Sequence, residues 1–564
     1  MKLKTSFCEP TVIKKNLTRF SPAWVLYGVY WLLILIIMLD SEGTGKWFAD
    51  SMAESLQFTA IFNMGYAFLC AQLLFGDLYN SRMCNALHAM PLRRECWFFT
   101  HVISGLLFSL IPNVLTMLLS SIFMEAAFLV APLWLLVNTL QFLFFFGVAA
   151  LSAYCVGNRF AMALVYIIIN GFSMIAYWLV ESLYAPQLYG IRIDDTPFTW
   201  FCPVFYMVSE PAVNLEFPGV SQQTSIPVIE LGTGFWYTLL SAGVGLVFMA
   251  LALLLYRKRN LECAGDFMAV KVLSPVFLIL YCLCGGAVGY LFFSLFVGED
   301  SLLFLLVGMV IGWFTGRMLL ERTVRVFRMK SFVGCGILLL AFFGSLLLTW
   351  LDPLGITRWV PNAQQVNAVH LVTGGSRYDY YKEGANRLTA QEDIEVALAL
   401  HRYGIQNRDA NYNGKQDITI TIDYELKSGR TVSRYYTVDI PTAESDALEA
   451  ILSRADIVFG CEVTDAKTLA DSLVLIRTGD DDTVLTGEAM VPLLEAILKD
   501  CAEGTMAQDW AFHPQEDVVV WLTMQMKSDT DYHQYRDVRV YPTSKHTYNY
   551  LVENDLIGNQ DKYK

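Results

Sequence analysis

Few side chains in this sequence are spaced for chemistry. Asp409, Asn411, Asn413 and Asp417, with Gly414 among them, have the oxygen spacing that opens a calcium loop. The twelfth position is Ile420 instead of a bidentate glutamate, so a polar turn is the plainer reading. Gly45-Lys46 ends a false phosphate loop, with Asp40 in place of its first glycine and Trp47 in place of the Ser/Thr. H-E-x-x-H and G-x-S-x-G do not occur. Catalysis, a metal site and a cofactor held by this chain alone are therefore not expected. Of 12 cysteines, Cys282 and Cys284 fall mid-run among apolar residues, where packing is the plainer role. Cys461 and Cys501 could pair, but so few cysteines in that region make no disulfide framework.

Polar side chains inside long apolar runs are costly and turn toward protein or water. Asn63, Gln72, Asn138, Gln141, Asn170 and Glu181 are of this kind. They line a translocation path, or they bond helix to helix with no substrate contact. Gly308, Gly312 and Gly316 recur every fourth residue, as do Gly285 and Gly289. That spacing lets helix backbones approach, within one subunit or across a dimer seam.

These residues sit on elements set by composition. The chain has 564 residues, 55% hydrophobic and only 16% charged, with mean hydropathy +0.43. Nine apolar runs are long enough to cross roughly 30 Å of hydrocarbon. They fall near 22–39, 57–76, 99–122, 132–155, 160–183, 234–256, 274–297, 302–320 and 332–351. With the N-terminus inside, the inner segments hold 18 Lys and Arg and the outer loops only Lys46 and Arg192. Nine crossings then leave residues 352–564 outside the cell. Before Asp352 there are 20 basic and 19 acidic residues; from it onward, 20 and 34. The acidic balance belongs to the outer part and suits solubility there. The expected fold is a polytopic α-helical membrane protein with a C-terminal extracytoplasmic α+β domain. Its parts are an interfacial helix (1–21), a transmembrane part (22–351) and the outer domain (352–564).

In the first part Ile13, Leu17 and Phe20 share a face beside Lys14, Lys15 and Arg19, as in a basic amphipathic helix at the inner interface. The first inner loop, Phe75 to Glu95, carries a short helix over Asn80–Ala89 that Pro91 ends. Ser81, Asn85 and His88 share one face, with Met83, Leu87 and Met90 beside it, and Arg93 and Arg94 mark the membrane boundary.

This stretch, closing on Leu87-His88-Ala89-Met90-Pro91-Leu92-Arg93-Arg94, resembles the inner coupling region of ABC transporter permeases of the type-2 exporter class. So does the N-terminal helix leading to Arg19-Phe20-Ser21-Pro22-Ala23-Trp24. "LYRKRNLECAGDFMAVK" (255–271) resembles a second inner segment in such permeases of Gram-positive bacteria. The resemblance covers roughly 1–350, and the nine spans and outer tail depart from the family's six-span minimum. It implies a permease in a bacterial plasma membrane, paired as a homodimer or heterodimer with a second permease, with no nucleic-acid partner. A separate cytosolic ATPase, holding ATP and magnesium, would move it through Asn80, Ser81, Arg82, Asn85, Leu87, His88, Pro91 and Arg93. The exported substrate would be a drug, an antimicrobial peptide or another amphiphile. A membrane sensor of such compounds and an envelope-assembly scaffold are the alternative readings.

Between the fifth and sixth spans, "PFTWFCPVFYMV" (197–208) is too short to cross and lies in the outer interface or re-enters. In the outer domain, "DITITIDYEL" and "RTVSRYYTVDI" alternate in period two around "KSG", which predicts a hairpin. Thr389 and Glu392 have capping-box spacing. "LEAIL" occurs at 448–452 and 494–498, which suggests two similar β-then-α units.

Overall fold

The computed structural model describes residues 7–42, 46–90, 92–123, 127–191, 196–216, 228–259, 263–297, 302–373, 387–407, 417–439, 443–459, 463, 465–478, 483–507, 520–526, 534–554 and 556. The chain divides into two compact units. One comprises Met1–Ser182 with Asp194–Ser345; the other comprises Leu183–Ile193 with Leu346–Lys564.

The first unit is helical. It contains α1 (Pro10–Arg19), α2 (Ser21–Glu42), α3 (Lys46–Leu74), α4 (Ser81–His88), α5 (Arg94–Phe123), α6 (Ala127–Cys155) and α7 (Arg159–Leu179). Two short helices, α8 (Thr196–Trp200) and α9 (Pro203–Ser209), precede a small antiparallel ribbon of β1 (Val213–Glu216) and β2 (Val228–Leu231). Then follow α10 (Thr233–Lys258), α11 (Ser274–Val297), α12 (Leu302–Glu321) and α13 (Met329–Leu351). Among the described residues, eight helices are long and apolar enough to cross a membrane: α2, α5, α6, α7 and α10–α13. Their outward surface is apolar; on α13, Leu340 is 76% exposed and Ile337 63%. Water would not tolerate so continuous a patch, whereas lipid does.

The remaining expected span, 57–76, differs. It is the end of α3, a 29-residue helix that starts earlier and carries Gln57, Asn63 and Gln72 among its apolar residues. Those amides keep it out of the apolar set. Yet α3 runs parallel to α6 along its length. The Trp134 indole donates to Ser55 (3.1 Å), Asn63 donates to Asn138 (2.7 Å), and just past α3 Phe75 packs on Phe146 and Tyr154.

The amphipathic face of α1 is used against protein. Val12, Leu17 and Phe20 pack on the bundle core. Backbone N–H of Glu9 donates to Thr100 (3.1 Å), Asn16 donates to Ser104 (3.1 Å), and Phe20 meets Phe108 edge-on. This helix therefore climbs beside the first half of α5, with Lys14, Lys15 and Arg19 exposed. The aromatic run 197–208 forms α8 and α9, which meet α7 half-way along it. Ser173 donates to the carbonyl of Phe198, and the Cys202 thiol to that of Asn170 (3.2 Å). Both short helices thus pack on the side of α7, with Trp200, Phe201 and Phe205 left exposed.

The five glycines expected at a packing seam are consumed inside the chain. A Cβ on Gly285 would come within 2.9 Å of Gly312 Cα, and one on Gly289 within 2.9 Å of Gly308 Cα. Gly316 lies against Leu278 and Tyr281. Thus α11 and α12 form a close antiparallel pair. A second close approach joins α6 to α10, where a Cβ on Gly147 would meet the carbonyl of Gly245 at 2.3 Å. No four-residue glycine spacing announces it.

The second unit holds β3 (Val366–Thr373), β4 (Arg387–Leu388), α14 (Gln391–Gln406), β5 (Asp417–Leu426), β6 (Thr431–Asp439), α15 (Ala443–Leu452), α16 (Ala455–Phe459) and α17 (Ala466–Ser472). These lead to β7 (Leu473–Thr478), β8 (Thr483–Leu485), α18 (Val491–Glu503), β9 (Val520–Met526), β10 (Gln534–Val540) and α19 (Lys545–Glu553). The predicted hairpin is β5–β6, paired from Asp417↔Asp439 to Glu425↔Thr431, with Gly429 at φ +80° in its turn. The predicted capping box does not form. Leu388 pairs with Val369 in β4, so Thr389 leaves the strand extended and the cap falls on Ala390, without a side-chain bond.

Two copies of one arrangement make up this unit. Each runs β-β-α-β-β-α, and each sheet is antiparallel with its strands in the order second, first, third, fourth: β4-β3-β5-β6 and β8-β7-β9-β10. Both carry a bulge at the second residue of the first strand, between Val366 and Ala368 and between Leu473 and Leu475. Ile420, Ile422 and Tyr424 are buried in one copy and Val520, Leu522 and Met524 in the other. The repeated pentapeptide does not mark the repeat. Its first occurrence lies on α15, the second helix of module one, and its second on α18, the first helix of module two.

Candidate functional site

The basic loops of the first unit converge at one end of the bundle. A 3-10 turn, Gly76–Tyr79, leaves α3 with Gly76 against the Arg159 guanidinium. Asn80 then caps α4, its side chain accepting from the N–H groups of Arg82 (3.0 Å) and Met83 (3.4 Å). This is the helix-start chemistry that Asn supplies best.

The eight residues of α4 have two faces. Cys84 is buried, and burial pushes its thiol pKa up. Leu87 is half-buried against the bundle and lines a small cavity with Phe75, Leu78, Trp97, His101 and Tyr256. Ser81, Arg82, Asn85 and, beyond the helix, Arg93 are exposed, as are the large apolar side chains of Met83 (40%) and Met90 (46%). Leu87, expected to point at a partner, instead seats the helix. Helical geometry leaves it on the Cys84 side, so the exposed large apolar side chains of this stretch are Met83 and Met90. The side chain of His88 and the whole of Pro91 lie outside the described residues.

Arginines lock this platform. Arg94 Nη1 donates to the carbonyls of Tyr256 (3.0 Å), Arg257 (3.2 Å) and Arg259 (2.9 Å), which close the end of α10. Arg259 does the same for α6 through Ala153 (3.2 Å) and Tyr154 (3.4 Å). A cation at a helix C-terminus satisfies orphan carbonyls and opposes the helix dipole. Arg257 pairs with Glu95 (3.0 Å). The 255–271 segment is stitched to the end of α6 by the Gly265 N–H to Gly157 carbonyl bond (2.7 Å) and a Val156–Met268 bridge. Gly157 has no room for a side chain: a Cβ would lie 2.2 Å from the carbonyl of Cys263. Sequence reasoning missed Arg94 and Arg259 as helix caps. A capping arginine and one that only sets topology look alike in a sequence.

Three of the six intramembrane polar residues meet. Asn63 donates to Asn138 and to Gln141 (3.2 Å) and accepts from the Tyr27 hydroxyl (3.2 Å), while Gln141 donates to the Leu56 carbonyl (3.0 Å). All three amides are buried. Among the described residues, Asn138 Nδ2 and, nearby in the bundle, Asn113 Oδ1 are buried without a partner. The other three stand apart. Asn170 bonds within α7 to Tyr166, Gln72 reaches the Arg159 carbonyl at the basic end (2.9 Å), and Glu181 is exposed in a π-turn after α7.

Metal-binding geometry is sparse. Among the described residues, Asp500, Glu503 and His546 bring ligand atoms within 4.8 Å of one another. Asp500, however, already accepts from the N–H of His546 (3.0 Å) and from the N–H and hydroxyl of Thr547 (2.7 and 2.6 Å), and so serves as a cap for α19. Residues 409–416 of the calcium-like stretch, the side chain of Asp417 and the Cys461 thiol fall outside the described residues, and Cys501 is a free, buried thiol. No known family model, curated protein or solved structure matches this chain.

Proposed function

We propose that this chain is the membrane-spanning permease subunit of an ATP-driven exporter of amphiphilic compounds in a bacterial plasma membrane. A separate cytosolic ATPase moves it through α4. The observation that carries this reading is the build of α4. It is a short, capped helix seated on the bundle by Cys84 and Leu87, with Arg82, Asn85, Met83 and Met90 turned outward. It stands beside a platform whose arginines clamp the ends of α6 and α10. A push on α4 would be delivered to those helices instead of being lost in a slack loop.

Three observations support a cytoplasmic α4 and an outer second unit. The Lys and Arg residues gather at the α4 end, which suits the cytoplasm. The side-by-side run of α3 with α6 favours counting α3 as a crossing, giving nine. Leu183–Ile193, continuous with α7, belongs to the second unit. Four membrane-length helices, α10–α13, separate that segment from residue 352, and an even number of crossings between the two stretches agrees with one compact unit holding both.

The test is co-purification of the ATPase from cells carrying Met83→Asp with Arg82→Glu. These exposed changes leave the seat of α4 intact. A charge desolvated at an interface is costly, so loss of the ATPase with normal yield of the chain is expected. Retention at the parent ratio overturns the reading.

A further inference from the structure

The two modules of the second unit differ where their sheets face the first helix. Strand pairing makes Tyr424, Arg434 and Tyr436 the counterparts of Met524, Val538 and Val540. On the helices, His401 of α14 stands where α18 has Cys501. Module two shows that the fold needs only apolar or weakly polar side chains at these places. Module one nevertheless buries Arg434 and Tyr436, 6% and 1% exposed. Burying such groups is unfavourable unless something bonds them. The set does not satisfy itself, since His401 Nε2, Arg434 Nε and the Tyr436 hydroxyl have no partner among the described residues.

What Arg434 and Tyr436 do contact is two chain segments from elsewhere in this unit. Arg434 Nη2 donates to the carbonyl of Ile356 (3.3 Å), and its guanidinium lies 5.8 Å over the Trp359 ring. The Tyr436 ring lies 5.6 Å from that of Tyr189 and against Gly190, where a Cβ would come 2.4 Å from the Tyr436 hydroxyl. Between them in sequence, the Tyr435 N–H donates to the Gly190 carbonyl (3.0 Å). β6 is the edge strand of its sheet, so this bond uses a backbone donor that the sheet leaves over. Ile356 and Trp359 follow α13 directly. Tyr189 and Gly190 follow α7 through the π-turn Val180–Tyr184, an irregularity common at functional sites.

We propose that module one is the anchor of this unit: Arg434 and Tyr436 are kept there to hold the segments around Tyr189–Gly190 and Ile356–Trp359 on one edge strand. Module two, lacking both groups, takes no such attachment among the described residues. This inference rests on the second unit alone and stands apart from the ATPase reading.

The test is hydrogen–deuterium exchange of the full chain in lipid nanodiscs. One variant carries Arg434→Val with Tyr436→Val, which are module two's residues; the other carries Tyr189→Ala, which leaves the sheet untouched. In both, exchange over 184–191 should rise at least tenfold. In the double variant it should rise over 356–359 as well. β3 and β5 should stay as protected as in the parent. Unchanged exchange over 184–191 in Tyr189→Ala overturns the proposal, whatever the double variant does to the sheet.

Discussion

At the residue scale, several single atoms set limits that can be tested. Gly312 lies where a Cβ would be 3.2 Å from Cys282 Cα, with α11 backbone all around. Gly312→Leu must force α11 and α12 apart. Overpacking of this kind costs about 1–3 kcal/mol. A lower thermal midpoint in detergent is expected, with Gly336→Leu on α13 as control, since open space surrounds Gly336. His401 offers a pH-dependent test. Burial first, and then the nearby guanidinium groups of Arg434 and Arg402, hold its imidazole down at about 4, while Nδ1 faces the Tyr424 hydroxyl at 3.1 Å. The unfolded chain takes up that proton near pH 6.5 and the folded chain does not. Stability from neutral His401 is therefore complete above about pH 6.5 and is lost as the pH falls toward 4, by roughly 3 kcal/mol. His401→Cys, the residue of module two, should flatten the fall in melting temperature of the second unit between pH 7 and 4.5. An equally steep fall would assign the effect to other groups.

At the element scale, α3 shows how a helix can be long enough to cross and still be too polar to stand out. Asn63, Asn138 and Gln141 answer one another across α3 and α6, so its amides face protein. Interhelical bonds of this kind in a bilayer contribute about 0.6 kcal/mol on average and rarely more than 1.7. Asn63→Leu should therefore lower stability modestly without abolishing insertion, as read by unfolding in mixed micelles. The same variant with transport or ATPase activity intact would make this network structural and not part of a path. Substitutions on α4 separate its two faces. Leu87→Asp should unseat the helix and raise labelling of a thiol-specific probe at Cys84, whereas Met83→Asp should leave Cys84 as protected as in the parent.

At the scale of the whole molecule, the outcome hangs on one parity. Eight crossings would put both chain ends on one side; nine separate them. A cysteine at Ser428, exposed in the β5–β6 turn, should react with an impermeant thiol reagent on intact cells, and one at Asn85 only after lysis, each against the parent background. Reaction of Ser428 only after lysis would remove α3 from the crossings.

The sequence by itself determined the class, the ends of most membrane helices and the β5–β6 hairpin. Apolar length, period-two alternation and turn glycines are local properties that need no partner to be read. The run 274–297 coincides with α11 and 302–320 with α12 to within a residue. It also marked Asn80 to Ala89 as a short helix, because capping is local. Only the tertiary structure decided which face of α4 is free, because that depends on what lies beneath Leu87. It alone made α1 lean on α5 and gave the glycines of α11 and α12 to each other. It alone separated the arginines that cap helices from those that face water. The duplication in the second unit was hidden for the same reason. Strand order, register and a shared bulge are relations between distant segments, and the two copies keep those relations while exchanging Arg434 and Tyr436 for Val538 and Val540.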